Sequence, residues 1–119
     1  LRDSYEDIRN NPVLEELLGE GLQAMGETIR PRRRELGIGT TDMGNVTHEV
    51  PGLQSYIQVV PFLRGHTPEF EKACGSPAGR HALWQAAGAE ALAGAQLFLH
   101  PEKMEQVKQA FLAMKAKYE

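Results

Sequence analysis

Two short stretches hold the side chains most able to do chemistry: Gly39-Thr40-Thr41-Asp42-Met43-Gly44-Asn45-Val46-Thr47-His48 and Gly65-His66-Thr67-Pro68-Glu69-Phe70. His66 leads. An imidazole after a glycine, at the end of an apolar run, suits a metal ligand or a proton shuttle. It reads equally as a surface histidine capping a helix that follows it. Asp42 reads as a carboxylate that orients a ligand or binds substrate, or more plainly as an Asp closing a tight turn on its own backbone. Thr40, Thr41, Asn45 and Thr47 share that ambiguity. A zinc site takes three or four protein ligands, and these stretches do not offer a full set.

The other chemically able residues point to bland roles. His48 is near Asp42, but a strand through Thr47-His48-Glu49 would send neighbouring side chains to opposite faces. His81 falls early in a helix and His100 at a helix end, positions for solvent or capping contacts. Cys74 has no His-Asn pattern nearby and reads as an inert thiol. The sequence has no HExxH, no P-loop and no CxxC. Arg32-Arg33-Arg34 is the one basic cluster, and it reads as a solvated turn because no aromatic neighbour is there to stack a base.

At 119 residues the chain is one domain at most, and 41% hydrophobic content is ordinary for a globular protein. A net charge of -3 argues against a dedicated nucleic-acid binder. A single cysteine excludes an internal disulfide and suits a reduced, cytoplasmic setting. No apolar run approaches the ~20 residues a membrane helix needs. The chain opens Leu1-Arg2-Asp3-Ser4, which is neither a secretory leader pattern nor an initiator Met. Two expectations fit this start: a piece of a longer polypeptide, or a chain from which a tag or the Met has been removed.

The elements that must position the two stretches follow from periodicity. Asn11-Pro12 is a cap followed by proline at the first helical position. Leu14, Leu17, Leu18, Leu22, Met25 and Ile29 then form one stripe; Gly26 either ends the regular helix or weakens it, and Arg30-Pro31 is a stop. Residues 46–50 alternate and read as a short strand. Pro51-Gly52 is a turn, and residues 53–60 are the best strand pattern in the chain. Ser76-Pro77 repeats the cap-proline signal, and the helix after it runs to about Leu99, with Trp84, Ala87, Ala91, Leu92, Ala95, Phe98 and Leu99 along its packing side. His100-Pro101 breaks it. A last helix spans 101–117 with Met104, Val107, Phe111 and Met114 on one face. The expected fold class is α/β: a small sheet with flanking helices packed on one side. Such a sheet needs partners to cover its edges.

The wording of the loops is more specific than their spacing. Gly39-Thr40-Thr41-Asp42-Met43-Gly44-Asn45-Val46-Thr47, then Val50-Pro51-Gly52, then Thr67-Pro68-Glu69-Phe70, resembles the C-terminal part of the dizinc amidohydrolases and dipeptidases, metallopeptidase family M-twenty. That family includes aminoacylases and aminobenzoyl-glutamate hydrolases, and the Xaa-Arg dipeptidase-like branch looks nearest. The Tyr5 to Gly26 segment resembles the family's re-entry into its catalytic domain. The run from Ser76 to Phe111 resembles its terminal helices. One threonine of Thr40-Thr41 replaces the more usual serine and keeps the hydroxyl.

The resemblance implies that residues 1–119 are the C-terminal portion of a metallohydrolase catalytic domain. Two divalent metal ions, zinc, would polarise the amide carbonyl of an acyl amino acid or small peptide and activate a bridging water. His66 matches the family's last metal-binding histidine. Thr41, Asp42 and Asn45 match substrate-binding or supporting positions. The family's His-x-Asp motif, Glu-Glu pair and lid domain are absent, so no catalytic residue is assigned here. The missing N-terminal half would be a partner. The chain alone is expected to be inactive, to bind zinc weakly and to self-associate as a homo-oligomer. A reading from another class stays open: a stand-alone, non-catalytic interaction domain derived from that fold.

Overall fold

The computed structural model describes residues 4–30 and 40–118. Arg32 to Arg34, and the first residue of the 39–48 stretch, lie outside them. Among the described residues the chain is helical: α1 Pro12–Ala24, α2 Met43–Glu49, α3 Pro68–Cys74, α4 Pro77–Leu99 and α5 Pro101–Tyr118. No described residue is in a strand, which overturns the α/β expectation and its sheet.

Local chemistry sets the helix starts. The Asn11 side chain accepts hydrogen bonds from the Val13 and Leu14 amides at 3.1 and 3.3 Å, with Pro12 in the first turn of α1. Ser76 Oγ accepts from the Gly79 amide at 3.4 Å ahead of Pro77. Thr67-Pro68 is a third copy of this signal: Thr67 Oγ1 accepts from the Phe70 amide at 3.2 Å and opens α3. The end of α1 is equally defined. Gly26 takes φ 90°, its amide reaches Gln23 O, and the Glu27 amide reaches Leu22 O at 2.9 Å. These paired bonds form a Schellman motif, which needs the left-handed conformation that glycine adopts freely.

The two expected strands fail for different reasons. Residues 46–50 alternate, but Gly44 and Thr47, three apart, are the buried positions of α2. Thr47 Oγ1 donates to Gly44 O at 2.9 Å, a bond that only a helical turn brings into reach. Residues 53–60 keep their strand-like pattern without a neighbouring strand, and cross-strand pairing is what stabilises a strand. Side chains take its place at one end: Asn10 Oδ1 accepts from the Gln54 amide at 2.9 Å, and Asn10 Nδ2 donates to Gln54 O at 3.2 Å.

Helices α1, α4 and α5 meet in a small core of Leu17, Ala82, Ala89 and Val107. The packing side of α4 differs from expectation. Gly79, Ala82, Gln85 and Ala89 face inward, while Trp84 and Phe98 are 73% and 88% exposed. This helix is apolar nearly all round, so periodicity cannot choose its inner face. Close approach chooses it: a Cβ at Gly21 of α1 would stand 2.6 Å from Ala89 O. The buried Asn11 side chain adds a polar pin, with Nδ2 donating to Val107 O of α5 at 2.9 Å.

Candidate functional site

Helix α2 carries most of the first candidate stretch, and it is bound to the segment Ser4–Asn10. The Glu6 amide donates to Asn45 Oδ1, and Asn45 Nδ2 donates to Ser4 O, both at 3.4 Å. The Arg9 amide donates to Thr47 Oγ1 at 3.0 Å. Thr47 is 1% exposed, and its buried hydroxyl is satisfied as both donor and acceptor. Gly44 lets the two backbones touch: a Cβ there would fall on the Glu6 carbonyl.

His48 closes this junction. Its Nε2 lies 3.0 Å from Asp7 O and 3.2 Å from Asp7 Oδ1. The Asp7 carboxylate also stands 3.7 Å from Arg9 Nε. Asp7 is largely exposed, so its contacts with His48 and Arg9 contribute at most about 1 kcal/mol. Glu6, Asp7 and His48 each bring one donor atom within 4.8 Å of the others, the one such group of three among the described residues. The sequence reading missed this group because it placed residues 46–50 in a strand. With a helix over 43–49, Gly44, Thr47 and His48 share one side, three and four residues apart.

The four residues singled out by sequence sit as follows. Thr41 Oγ1 accepts from the Met43 amide at 3.3 Å, at the start of α2. Asp42 is exposed at the N-cap position of α2, and its side chain makes no capping bond. Asn45 is the clamp on residues 4–6. His66 is exposed, directly before the cap of α3, with its backbone at φ 61°. A non-glycine residue held in the left-handed region is strained, and such positions cluster at functional sites. No hydrogen bond among the described residues ties His66 to Thr41, Asp42 or Asn45, and the Glu6-Asp7-His48 group does not include it.

The other histidines and the thiol are peripheral. His100 Nδ1 pairs with Glu102 at 3.2 Å, His81 is exposed, and Cys74 ends α3 as an exposed free thiol. A shallow groove of about 170 Å³ runs between α1 and α4 beside Leu17, Gly21 and Leu92. It is smaller than an ordinary ligand pocket, about 300 Å³ or more, and none of the candidate residues lines it. Among the described residues no helix is long and apolar enough to cross a membrane.

Comparison with known proteins adds a distant relationship. The chain is 30% identical over 73 residues to the Xaa-Arg dipeptidase of Homo sapiens. It is 32% identical over 73 residues to that of Mus musculus. Each match covers 61% of this chain and 17% of the relative, so the chain spans only a small part of either enzyme. No protein-family model matches the chain, and no solved structure does.

Proposed function

We propose that this chain is the C-terminal part of the catalytic domain of a metal-dependent amidohydrolase or dipeptidase, one that cleaves an amide bond of an acyl amino acid or small peptide. The observation that carries this reading is the similarity to the two Xaa-Arg dipeptidases. The state of His66 supports it: an exposed imidazole, on strained backbone, with no hydrogen-bond partner among the described residues. In this reading His66 is one metal ligand. Thr41 and Asp42 line the substrate side of the same cleft, and Asn45 fixes the loop that carries them.

The donor set of the chain alone does not fit a catalytic zinc centre. Three protein ligands and an open position are needed. His66 supplies one ligand, and the group of Glu6, Asp7 and His48 stands apart from it. The remaining donors and the general base therefore belong to polypeptide beyond these residues, and no reaction step is derived through the metal. The incomplete donor set also favours a second reading, a non-catalytic interaction domain.

The decisive experiment is made in the reading frame upstream of Leu1. An extension carrying a His-x-Asp motif and a Glu-Glu pair is expected. The extended protein should release arginine from Xaa-Arg dipeptides or acyl groups from acyl amino acids. His66→Ala in that protein should lower metal content and turnover together. Full metal content and full activity in His66→Ala would refute the assignment. A frame that begins with Met beside Leu1 would favour the interaction domain.

A further inference from the structure

The outward face of α4 has no cover among the described residues. Leu83, Trp84, Phe98 and Leu99 are 66%, 73%, 88% and 73% exposed, and Ala87, Ala91 and Ala95 between them are exposed as well. At about 100° per residue, Trp84, the three alanines and Phe98 fall within about 80° of one another, along about 20 Å of helix and opposite the inward Ala82 and Ala89. The two aromatic side chains alone expose roughly 300 Å². The leucines and alanines bring the patch to the upper end of the roughly 300–600 Å² that a monomer's largest patch reaches.

Charge does not break this face. Arg80 and Glu90 are the charged residues of α4. The Arg80 guanidinium turns to Gly75 O, with Nη1 donating at 3.1 Å, and Glu90 stands about 100° round the helix from Ala91. On the other flank the apolar surface continues. Leu92 is exposed and also lines the groove of about 170 Å³ between α1 and α4, with Leu17, Gly21 and Ala24. Leu92 thus joins stripe and groove into one surface. It is not its own complement: turned about Ala91 onto a second copy, it sets Glu90 on Leu92 and strands a carboxylate on apolar surface.

We infer that this surface is interior in the parent protein, covered by polypeptide of the same catalytic domain that lies beyond these 119 residues. Two observations commit the occupant. The match covers only 17% of either dipeptidase, so most of each relative has no counterpart here. A helix that is apolar nearly all round belongs in the middle of the domain that owns it, and α1 covers only one side of α4. The inference rests on the reading of this chain as one part of a hydrolase catalytic domain, and it adds which surface the remainder takes. The shape states what the cover must be. The alanines form a waist between the bulk of Trp84 and Phe98, and such a waist admits large side chains of an element that crosses α4. The cover is therefore convex and apolar at its centre, and polar only where it meets Glu90.

The test is made on the extended protein read from the frame upstream of Leu1, as a monomer by sedimentation. In a Cys74→Ser background, labelling of Ala91→Cys by a thiol reagent, read by mass spectrometry, should be more than about 100-fold slower in the native protein than in urea, because it must wait for the buried surface to open. Hydroxyl-radical footprinting of the unsubstituted protein should show Trp84 and Phe98 protected in the same way, and it decides the matter where the substituted chain does not fold. Metal content and hydrolysis are read separately. A monomer that hides these positions without metal or activity refutes the hydrolase reading and leaves this inference standing. An active, metal-loaded monomer in which they react as fast as in urea overturns this inference and leaves the hydrolase reading standing. Protection that is lost on dilution from dimer to monomer gives the face to a second copy and also overturns it.

Discussion

Asn11 makes the sharpest demand on the fold, because one fully buried amide does two jobs. Its Oδ1 caps α1 through the Val13 and Leu14 amides, and its Nδ2 holds Val107 O of α5. Asn11→Ala removes both. Loss of an N-cap costs about 1 kcal/mol, and loss of a buried hydrogen bond about 1 kcal/mol more. The expected destabilisation is therefore about 2 kcal/mol, a fall in Tm of roughly 6–12 °C for a chain of this size. Asn11→Ser separates the two jobs: its hydroxyl still caps α1 but is too short to reach Val107, so about half the loss is expected. Asn11→Asp keeps the cap but turns a carboxylate oxygen toward the Val107 carbonyl, so it should be less stable than Asn11→Ser. Thermal and urea unfolding followed by circular dichroism give all three values. An Asn11→Ala protein within about 0.5 kcal/mol of wild type would refute the account, as would Ser and Ala variants of equal stability.

Three further outcomes are expected. Gly21→Ala should destabilise by about 1–3 kcal/mol because its methyl would press on the Ala89 backbone. Gly19→Ala in the same helix meets open space and should stabilise by about 0.5–1 kcal/mol; unfolding curves of the pair check both signs. Gly44→Ala should push Ser4–Asn10 off α2, speeding amide hydrogen exchange at Arg9, whose bond to Thr47 Oγ1 holds the segment down. An unchanged rate there would show that the close approach is not required. The isolated chain, dialysed against zinc, should retain less than one equivalent by elemental analysis and show no amide hydrolysis. Stoichiometric zinc that His48→Ala abolishes would instead make Glu6, Asp7 and His48 a metal site.

What was legible in the sequence was written in local chemistry. Asn11-Pro12 and Ser76-Pro77 mark true helix starts because a capping side chain and a proline act within four residues of themselves. Of the two sequence readings of Gly26, an end or a weak point of the helix, its positive φ and the Schellman bonds select the end. Thr67-Pro68 carries the same cap-proline signal for α3; a helix after His66 is one of the two sequence readings there, with the cap on Thr67 rather than on the histidine. The strand assignments failed because they rest on partners elsewhere in space. An alternating run such as 46–50 is compatible with a strand, but the Thr47-to-Gly44 bond and the Ser4–Asn10 segment reward a helix. Their separation of about forty residues hid that reward. The candidate site was legible as a set of residue types and not as an arrangement: Asn45 and Thr47 turned out to bind backbone, while His66 stands free of them.

The core is what links the internal packing to the outward face of α4. Among the described residues two of the four buried apolar side chains are alanines, and Leu17 and Val107 are the larger pair. A fully buried Leu or Val contributes only about 1.5–3 kcal/mol, so burial of this extent leaves much of the organising to polar pins such as Asn11 and Thr47. At the same time five large apolar side chains of α4, Leu83, Trp84, Leu92, Phe98 and Leu99, are exposed. A helix that turns its alanines and glycines toward its own fold and its tryptophan and phenylalanine away from it reverses the usual amphipathic order. Small residues inside permit the close α1–α4 approach at Gly21, and the large residues are then available for a second surface. The inward residues should therefore carry the stability of the chain: Leu17→Ala should cost about 2–5 kcal/mol, because Leu17 is one of the buried apolar side chains, whereas Trp84→Glu with Phe98→Glu should leave the urea midpoint close to that of wild type, as substitutions of exposed side chains do. Equal losses from the two changes, measured by urea unfolding, would overturn this account of the core.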